Sequence, residues 1–213
     1  MSYTTIFTIG RMNPPTPGHF HLIEKMFIKA LQNRVKKIHI ILSSKTDNIK
    51  NPLEPEEKRY ILETYAIPWI KRRLIDLLPH LSQDINELVA DIVLSHEHNR
   101  YSPNHIMSSV RHILANTHPN KSLFMTGDGF PVAKNIETYL LDRSEYPISG
   151  TLVREIARQS YPAFASIYSP LGMCHKEIHI MWSAIRDLCP DSNDNLREKA
   201  LEHIRSRYEL RSS

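Results

Sequence analysis

Two short segments bring together the side chains of this sequence that could perform chemistry on a phosphate. The first, residues 9–24, reads Ile-Gly-Arg-Met-Asn-Pro-Pro-Thr-Pro-Gly-His-Phe-His-Leu-Ile-Glu, and within it Thr16, Gly18 and His19 stand close together. A glycine lets the backbone approach an anion closely, and the free N–H groups at the start of a helix favour a phosphate. Because a hydroxyl and an imidazole can donate hydrogen bonds to the same anion, this segment indicates nucleotide chemistry.

The second segment, residues 148–154, reads Ile-Ser-Gly-Thr-Leu-Val-Arg. Ser149 or Thr151 can cap a helix, and Arg154 then lies one turn inside that helix. Hydroxyls, amide N–H groups and a guanidinium at one helix start can bind a second phosphate. Taken alone, the segment is more simply explained as a capped helix with a surface arginine.

Apolar β-branched runs alternate along the chain with apolar-periodic segments, and these elements must position the two phosphate-binding segments. We predict strands over residues 4–9, 36–43, 91–94, 122–126 and 146–148. We predict helices over residues 19–32, 55–65, 69–78 and 103–116, with Pro68 separating the second from the third, and another helix starting near Thr151. Residues 173–189 and 192–211 are predicted to form two closing helices.

Strands separated by helices predict crossover connections, and hence an α/β fold with a doubly wound parallel sheet of about five strands and helices on both faces. We assign residues 1–170 to this domain and residues 171–213 to a C-terminal helical extension of it. In such sheets ligands bind beyond the carboxyl ends of the strands, where the strand order reverses. The turn around His19 and the turn at residues 127–129 both follow predicted strands, so both are expected at that edge.

The composition excludes several classes of protein. The chain has 213 residues, 41% of them apolar and 23% charged, with a net charge of +4, which is typical of a globular protein and too mild to favour nucleic acid as a partner. No apolar run approaches the roughly 18 residues that span a bilayer. Two cysteines without a paired pattern favour a reducing compartment. We expect a soluble cytoplasmic protein that does not bind membranes, and the sequence allows a homo-oligomer.

Together the two segments resemble the motifs of the nucleotidyltransferase superfamily related to class I aminoacyl-tRNA synthetases. Its members carry (His/Thr)-x-Gly-His after the first strand and Ile-Ser-x-Thr-x-x-Arg late in the chain, and both patterns occur here within residues 4–158. Gly10-Arg11 and the Ile-Ser-Gly-Thr sequence are similar to those of archaeal-type nicotinamide mononucleotide adenylyltransferases and their viral relatives. Asn51-Pro52-Leu53, followed by Glu56-Glu57-Lys58-Arg59, is similar to a segment after the second strand in that group.

The resemblance implies a Rossmann-like fold and the transfer of a nucleotidyl group, with pyrophosphate as the leaving group. It implies that His19 and Thr16 donate to the α-phosphate of ATP, or of another nucleoside triphosphate, and that Arg154 holds the departing phosphates. Nucleotide contacts are implied for Gly10, Arg11, Gly18, Ser149 and Thr151, and substrate contacts for Asn51, Lys58 and Arg59. Asp128 falls near the ribose-binding Gly-x-Asp of relatives, although here the intervening residue is missing. Mg²⁺ would bridge triphosphate oxygens, and no protein ligands to a metal are predicted.

The resemblance says less about the second substrate, which is expected to be a phosphorylated small molecule. Nicotinamide mononucleotide is favoured as this acceptor. Alternatives are a cytidylyltransferase or a pantetheine-phosphate adenylyltransferase-like enzyme, although cytidylyl enzymes typically carry Gly-Thr-Phe-Asp where this chain has Gly-Arg-Met-Asn. RNA-directed chemistry and a non-catalytic nucleotide-binding protein are further alternatives. His175 and His179, spaced to share a helix face, could bind zinc, but a metal role is disfavoured because the metalloprotease glutamate is missing.

Overall fold

The computed structural model describes residues 2–46, 51, 53–95, 105–115, 117–127, 135–142, 144, 148–171 and 173–187. Its strands are β1 (Thr5–Gly10), β2 (Lys37–Leu42), β3 (Val89–Leu94), β4 (Ser122–Thr126) and β5 (Glu137–Leu140). Its α-helices are α1 (Pro17–Asn33), α2 (Pro55–Ile61), α3 (Ile67–Leu77), α4 (Ser82–Glu87), α5 (His105–Leu114), α6 (Gly150–Gln159), α7 (Tyr161–Tyr168) and α8 (His175–Asp187). A π-helical turn (Leu62–Ala66) joins α2 to α3, and short 3₁₀ turns cover Pro79–Leu81, Pro119–Lys121 and Ser169–Leu171.

The strands form one parallel sheet in the order β3-β2-β1-β4-β5. Along the chain the strands first step outward from β1 to β3 and then jump back to β4 on the other side of β1. The strand order therefore reverses between β1 and β4, as expected for a doubly wound Rossmann-like fold. Gly10 pairs with Leu42 and Leu42 with Leu94, so three strands end at the same level.

Helices cover both faces of the sheet, as the sequence predicts. Alternate residues of β1 face opposite ways, so Ile6 belongs to a large core on one face and Phe7 to a smaller core on the other. Helices α1, α2, α3, α4, α6, α7 and α8 contribute to the large core, whereas Val110 of α5 belongs to the same smaller core as Phe7. Right-handed crossovers explain this division, because the connection that jumps back across β1 must pass on the opposite face.

The predicted helix break at Pro68 is wrong, because α2, the π-helical turn and α3 follow one another without interruption. Proline lacks an N–H and its ring clashes with the carbonyl four residues earlier in a regular α-helix. In the π-helical turn the N–H of Ile67 bonds instead to the carbonyl of Leu62, five residues back. This local widening accommodates the proline inside a longer helix.

The fifth strand differs from the prediction, whereas α8 (His175–Asp187) closely matches the helix predicted over residues 173–189. The fifth strand is β5, earlier in the chain than the predicted residues 146–148; of those, Ile148 is not in a strand, and residues 146 and 147 lie outside the described residues. Helix α7 was not predicted, and its fully buried Tyr168 donates a hydrogen bond to the carbonyl of Pro15 at 2.9 Å. The predicted helix over residues 192–211 lies outside the described residues. None of the described helices is long and apolar enough to cross a bilayer.

Candidate active site

A cavity of about 620 Å³ lies beyond the carboxyl ends of β1 and β4, where the strand order reverses. Its volume is within the range of small-molecule sites. The walls come from the loop after β1, the start of α1, the residues that follow β4 and β5, and the start of α6. The lining residues are Ile9, Gly10, Arg11, Met12, Asn13, Gly18, His19, Leu22, Asn51, Thr126, Gly127, Leu141, Asp142, Ser149, Gly150, Thr151 and Arg154.

The loop after β1 makes a tight turn that depends on Gly10. Met12 is almost fully buried and has a positive φ of 44°, which is uncommon for a residue with a side chain. A Cβ at Gly10 would lie 3.0 Å from the Cε of Met12, so the glycine makes room for that side chain. The turn leaves Arg11 exposed on the cavity wall, where its guanidinium can meet an anion.

Thr16 sets the orientation and tautomer of the His19 ring. The N–H of Thr16 donates to Nδ1 of His19 at 2.9 Å, and the hydroxyl of Thr16 lies 2.8 Å from the same nitrogen. A ring nitrogen that accepts a hydrogen bond carries no proton, so the neutral imidazole has its proton on Nε2. Thr16 is buried and does not line the cavity. It therefore acts here on His19, and His19 is the member of the pair that lines the cavity.

The start of α6 forms the opposite wall. Ser149 caps the helix by accepting the N–H of Leu152 at 3.2 Å. One turn later Arg154 is buried at 5% exposure, and its Nη2 donates to Oγ1 of Thr151 at 3.1 Å. Its Nη1 donates to the main-chain carbonyl of Asn13 in the β1–α1 loop. These contacts fix the plane of the guanidinium against the wall and join the two phosphate-binding segments.

The predicted substrate residues after β2 separate into two groups. Asn51 is buried and lines the cavity. Lys58 is fully buried behind the wall, and its Nζ donates to the carbonyl of Ser43 at 2.6 Å. Burial lowers the pKa of Lys58 to about 8, although the carboxylates of Glu54, Glu56 and Glu57 oppose this shift. Arg59 does not line the cavity either, so of these three residues the structure brings Asn51 to the site.

Most of the residues predicted to bind the nucleotide meet in this one cavity. From the first segment it receives Gly10, Arg11, Gly18 and His19, and from the second Ser149, Thr151 and Arg154. The remaining candidate, Asp128, lies outside the described residues. The two histidines considered for zinc, His175 and His179, are exposed and contact the ring of Tyr161 on α7.

Among the cavity residues that were not predicted from the sequence, three have polar side chains. Asn13 lies in the loop after β1, Thr126 ends β4, and Asp142 follows β5. Hydrogen bonds from the backbone and side chain of Ser144 hold the pKa of Asp142 below its ordinary value, so this carboxylate is ionised at neutral pH. Asp142 could not be predicted as a site residue, because the strand that positions it, β5, was predicted at residues 146–148.

The arrangement suits a polyanionic ligand with an uncharged part. The starts of α1 and α6 contribute Gly18, His19, Gly150 and Thr151 to the cavity lining, and the start of a helix is the positive end of its dipole. His19, Arg11 and Arg154 add an imidazole and two guanidiniums to the lining of the same cavity. Such donors bind a phosphate chain well. Near the ends of β4 and β5 the cavity is lined by Gly127 and Leu141, which are less polar and suit an uncharged part of the ligand.

Comparison with known proteins agrees with this chemistry. A search of curated proteins finds no significant match. The family model described as cytidylyltransferase-like matches residues 7–156, a range that contains both phosphate-binding segments and all five strands except the first residues of β1. Because the match covers more than half of the chain, this protein belongs to the cytidylyltransferase-like family of the nucleotidyltransferase superfamily.

Proposed function

We propose that this chain is an adenylyltransferase that joins ATP to nicotinamide mononucleotide and releases pyrophosphate. The observation that carries the proposal is the meeting of His19 and Arg154 with the N-termini of α1 and α6 in one cavity. This set of donors matches the charge of a triphosphate. The choice of ATP and of the acceptor rests on the similarity of Gly10-Arg11 and of the Ile-Ser-Gly-Thr sequence to nicotinamide mononucleotide adenylyltransferases.

In the proposed reaction an oxygen of the acceptor phosphate attacks the α-phosphorus of ATP. The bond from that phosphorus to the bridging oxygen breaks, and pyrophosphate leaves with the electron pair. No covalent bond to the protein forms, so the protein positions the reactants and stabilises the charge that builds up. Nε2–H of His19 donates to the α-phosphate oxygens, and Arg154 holds the phosphates that depart.

Mg²⁺ enters this reaction as part of the nucleotide substrate. Bound to the triphosphate, it neutralises charge on the phosphate oxygens and retains most of its water. The described residues contain no group of three or more His, Cys, Asp or Glu side chains able to hold a metal ion.

The role of His19 is tested by the variant His19→Ala. Nucleotide affinity should stay close to that of the wild type, because the ring acts mainly on charge that develops in the transition state. Turnover should fall by about 10²–10³-fold, the loss typical of one such donor. Pyrophosphate release and calorimetric binding of a non-hydrolysable ATP analogue measure the two quantities. Unchanged turnover would remove His19 from the reaction.

The substrates are tested by screening phosphorylated acceptors with either ATP or CTP and measuring pyrophosphate. We expect release with ATP and nicotinamide mononucleotide. Release with CTP alone would replace the adenylyl assignment by a cytidylyl one. Release with another acceptor, such as phosphopantetheine, would correct the acceptor, and no release with any pair would favour a nucleotide-binding role without catalysis.

A further inference from the structure

Asn13 makes an unusual pair of hydrogen bonds with a distant part of the chain. Its side chain is buried, its Nδ2 donates to the carbonyl of Leu53 at 2.9 Å, and its Oδ1 accepts the N–H of Leu53 at 3.0 Å. One amide therefore satisfies both backbone groups of a residue 40 positions away. This pairing needs a donor and an acceptor on the same short side chain, which asparagine supplies and aspartate or leucine does not.

The main chain of Asn13 holds a third segment. Its carbonyl accepts a hydrogen bond from Nη1 of Arg154 in α6. The approach of the two segments is close, since a Cβ at Gly150 would lie 2.9 Å from that same carbonyl oxygen. Asn13 thus connects the β1–α1 loop with the start of α2 and with the start of α6.

The two partners of Asn13 belong to different sides of the cavity. Arg154 belongs to the wall that we assign to the phosphates of ATP. Leu53 follows by two residues Asn51, whose buried side chain lines the cavity and which we assign to the acceptor. A displacement of Asn13 would therefore move Arg154 on the nucleotide side of the cavity and the segment of Asn51 on the acceptor side.

The segment around Leu53 is also connected to the β1–α1 loop by a second path, through Lys58 and Ser43. The N–H of Lys58 bonds to the carbonyl of Glu54, and Nζ of Lys58 bonds to the carbonyl of Ser43. The N–H of Ser43 in turn bonds to the carbonyl of Gly10, at the start of the loop that carries Asn13. Rigid connections of this kind transmit a shift at one wall to the other, because packed elements move as units.

We propose that Asn13 is a positioning residue that couples the nucleotide side of the cavity to the acceptor side. A ligand that contacts Arg154 further restrains Asn13, and Asn13 in turn restrains the segment that carries Asn51. Each substrate consequently raises the affinity of the protein for the other, and thermodynamic linkage requires the two factors to be equal. The inference has two halves. The nucleotide half, that Asn13 supports nucleotide binding, can be tested without a known acceptor. The coupling half, that the two substrates raise the affinity for each other through Asn13, rests on the proposed function.

The nucleotide half is tested with a non-hydrolysable ATP analogue as the sole ligand. We expect Asn13→Ala to weaken its binding by about tenfold, because the loop that orients Arg154 is released. Arg154→Ala should cost much less in the Asn13→Ala background than in the wild type, since both changes disrupt one arrangement. Calorimetry on the wild type, the two single variants and the double variant measures this. Additive losses would overturn the proposal.

Two further variants separate positioning from general damage. Asn13→Asp keeps the shape and the acceptor for the N–H of Leu53 but places an oxygen against the Leu53 carbonyl, so it should act in the same direction as Asn13→Ala. Asn33 is the matched control, because its amide also makes two backbone contacts, with Lys29 and Tyr3, at the opposite end of α1. Asn33→Ala should lower thermal stability to a similar degree and leave nucleotide binding unchanged. Weaker nucleotide binding in Asn33→Ala, to the same extent as in Asn13→Ala, would overturn the proposal.

The coupling half is tested by measuring the affinity for nicotinamide mononucleotide with and without the ATP analogue. The wild type should show an increase of about 5-fold or more, the lower end of typical coupling between sites. In Asn13→Ala the ratio of the affinities with and without the ATP analogue should approach one, while Asn33→Ala keeps the wild-type ratio. A wild-type factor of one, or a factor that Asn13→Ala leaves unchanged, would overturn the coupling. Absence of binding by nicotinamide mononucleotide would instead refute the proposed acceptor, and the nucleotide-only test would still decide the role of Asn13.

Discussion

Thr16 holds the His19 ring through a backbone group and a hydroxyl, and the two contributions can be separated. Thr16→Val removes the hydroxyl that lies 2.8 Å from Nδ1 but keeps the N–H that donates to it at 2.9 Å. We expect turnover to fall by about tenfold, the loss of one hydrogen bond that orients the ring, with unchanged nucleotide affinity. Pyrophosphate release measures turnover. Thr16→Ser retains the hydroxyl and should stay near the wild type, so equal losses in both variants would contradict this role.

Gly150 is required because the start of α6 lies in close contact with the main chain of Asn13, and not because its backbone needs the conformational freedom of a glycine. As the first residue of α6 it would gain helix propensity from an alanine, yet the added Cβ would lie 2.9 Å from the carbonyl oxygen of Asn13. The start of α6 must then shift and Arg154 must move with it. We expect Gly150→Ala to weaken binding of an ATP analogue by about tenfold or more, without a comparable loss of thermal stability.

Gly10→Ala is the comparison for that variant. Its added Cβ would meet the flexible end of the Met12 side chain at 3.0 Å, and a side-chain end can move at lower cost than a carbonyl. The affinity for the ATP analogue should therefore fall less in Gly10→Ala than in Gly150→Ala. The opposite order, measured by calorimetry, would show that the contact at Asn13 is not what Gly150 protects.

The sequence predicted the residues whose side chains are chemically distinctive and missed those that act through geometry. His19 and Arg154 could be recognised because an imidazole and a guanidinium beside a helix start already indicate phosphate binding. Asn13 could not, since its partner Leu53 lies 40 residues away and uses backbone atoms that no motif records. Lys58 shows the reverse case, because the family resemblance implied a substrate contact, whereas the fold buries its side chain away from the cavity lining.

At the scale of elements, the contact between α2 and the end of β2 depends on a buried amine. Burial lowers the pKa of Lys58 to about 8, against about 10.4 in an unfolded chain. Between these values the unfolded state binds more protons, so the contribution of Lys58 to the free energy of unfolding rises with pH in that window. We expect the stability of the wild type relative to Lys58→Met to increase between pH 7 and pH 10, by up to about 3 kcal/mol.

Urea unfolding of both proteins at several pH values measures that difference. Lys58→Met has a similar length and no titrating group, so pH effects from the rest of the chain cancel in the comparison. Lys37→Met is a suitable control, because Lys37 of the neighbouring strand β2 is an exposed lysine, whereas Lys58 is fully buried. Parallel stability curves for the wild type and Lys58→Met would contradict a lowered pKa at Lys58.

The elements themselves could be predicted where their pattern is local. The first four strands and α1 follow from apolar runs and helical periodicity, and β4 has the predicted bounds of residues 122–126. The pattern failed at β5, whose four residues are all exposed and therefore carry no apolar run. It failed again at Pro68, because a π-helical turn can accommodate a proline that would break a regular helix.

For the whole molecule, the sequence predicted a doubly wound sheet but not the order of its strands. That order depends on which strands pair across long connections, and hydrophobic patterns do not encode such partners. The order β3-β2-β1-β4-β5 brings residues 10–19 and 148–154 to one edge of the sheet although they are distant in the chain. A ligand bound there contacts segments from both halves of the fold.

Such a ligand should stabilise the fold as a whole. At a concentration 100 times its dissociation constant, a ligand that binds the folded state alone adds about 2.7 kcal/mol to the free energy of unfolding. For a chain of this size we expect an ATP analogue to raise Tm by about 5–10 °C. Differential scanning fluorimetry measures this.

Adenosine at the same concentration should raise Tm much less, because the helix N-termini, His19 and Arg154 recognise phosphates. Arg154→Ala should remove most of the shift, and an equal shift with adenosine would show that the cavity binds the nucleoside without using its phosphate-binding wall.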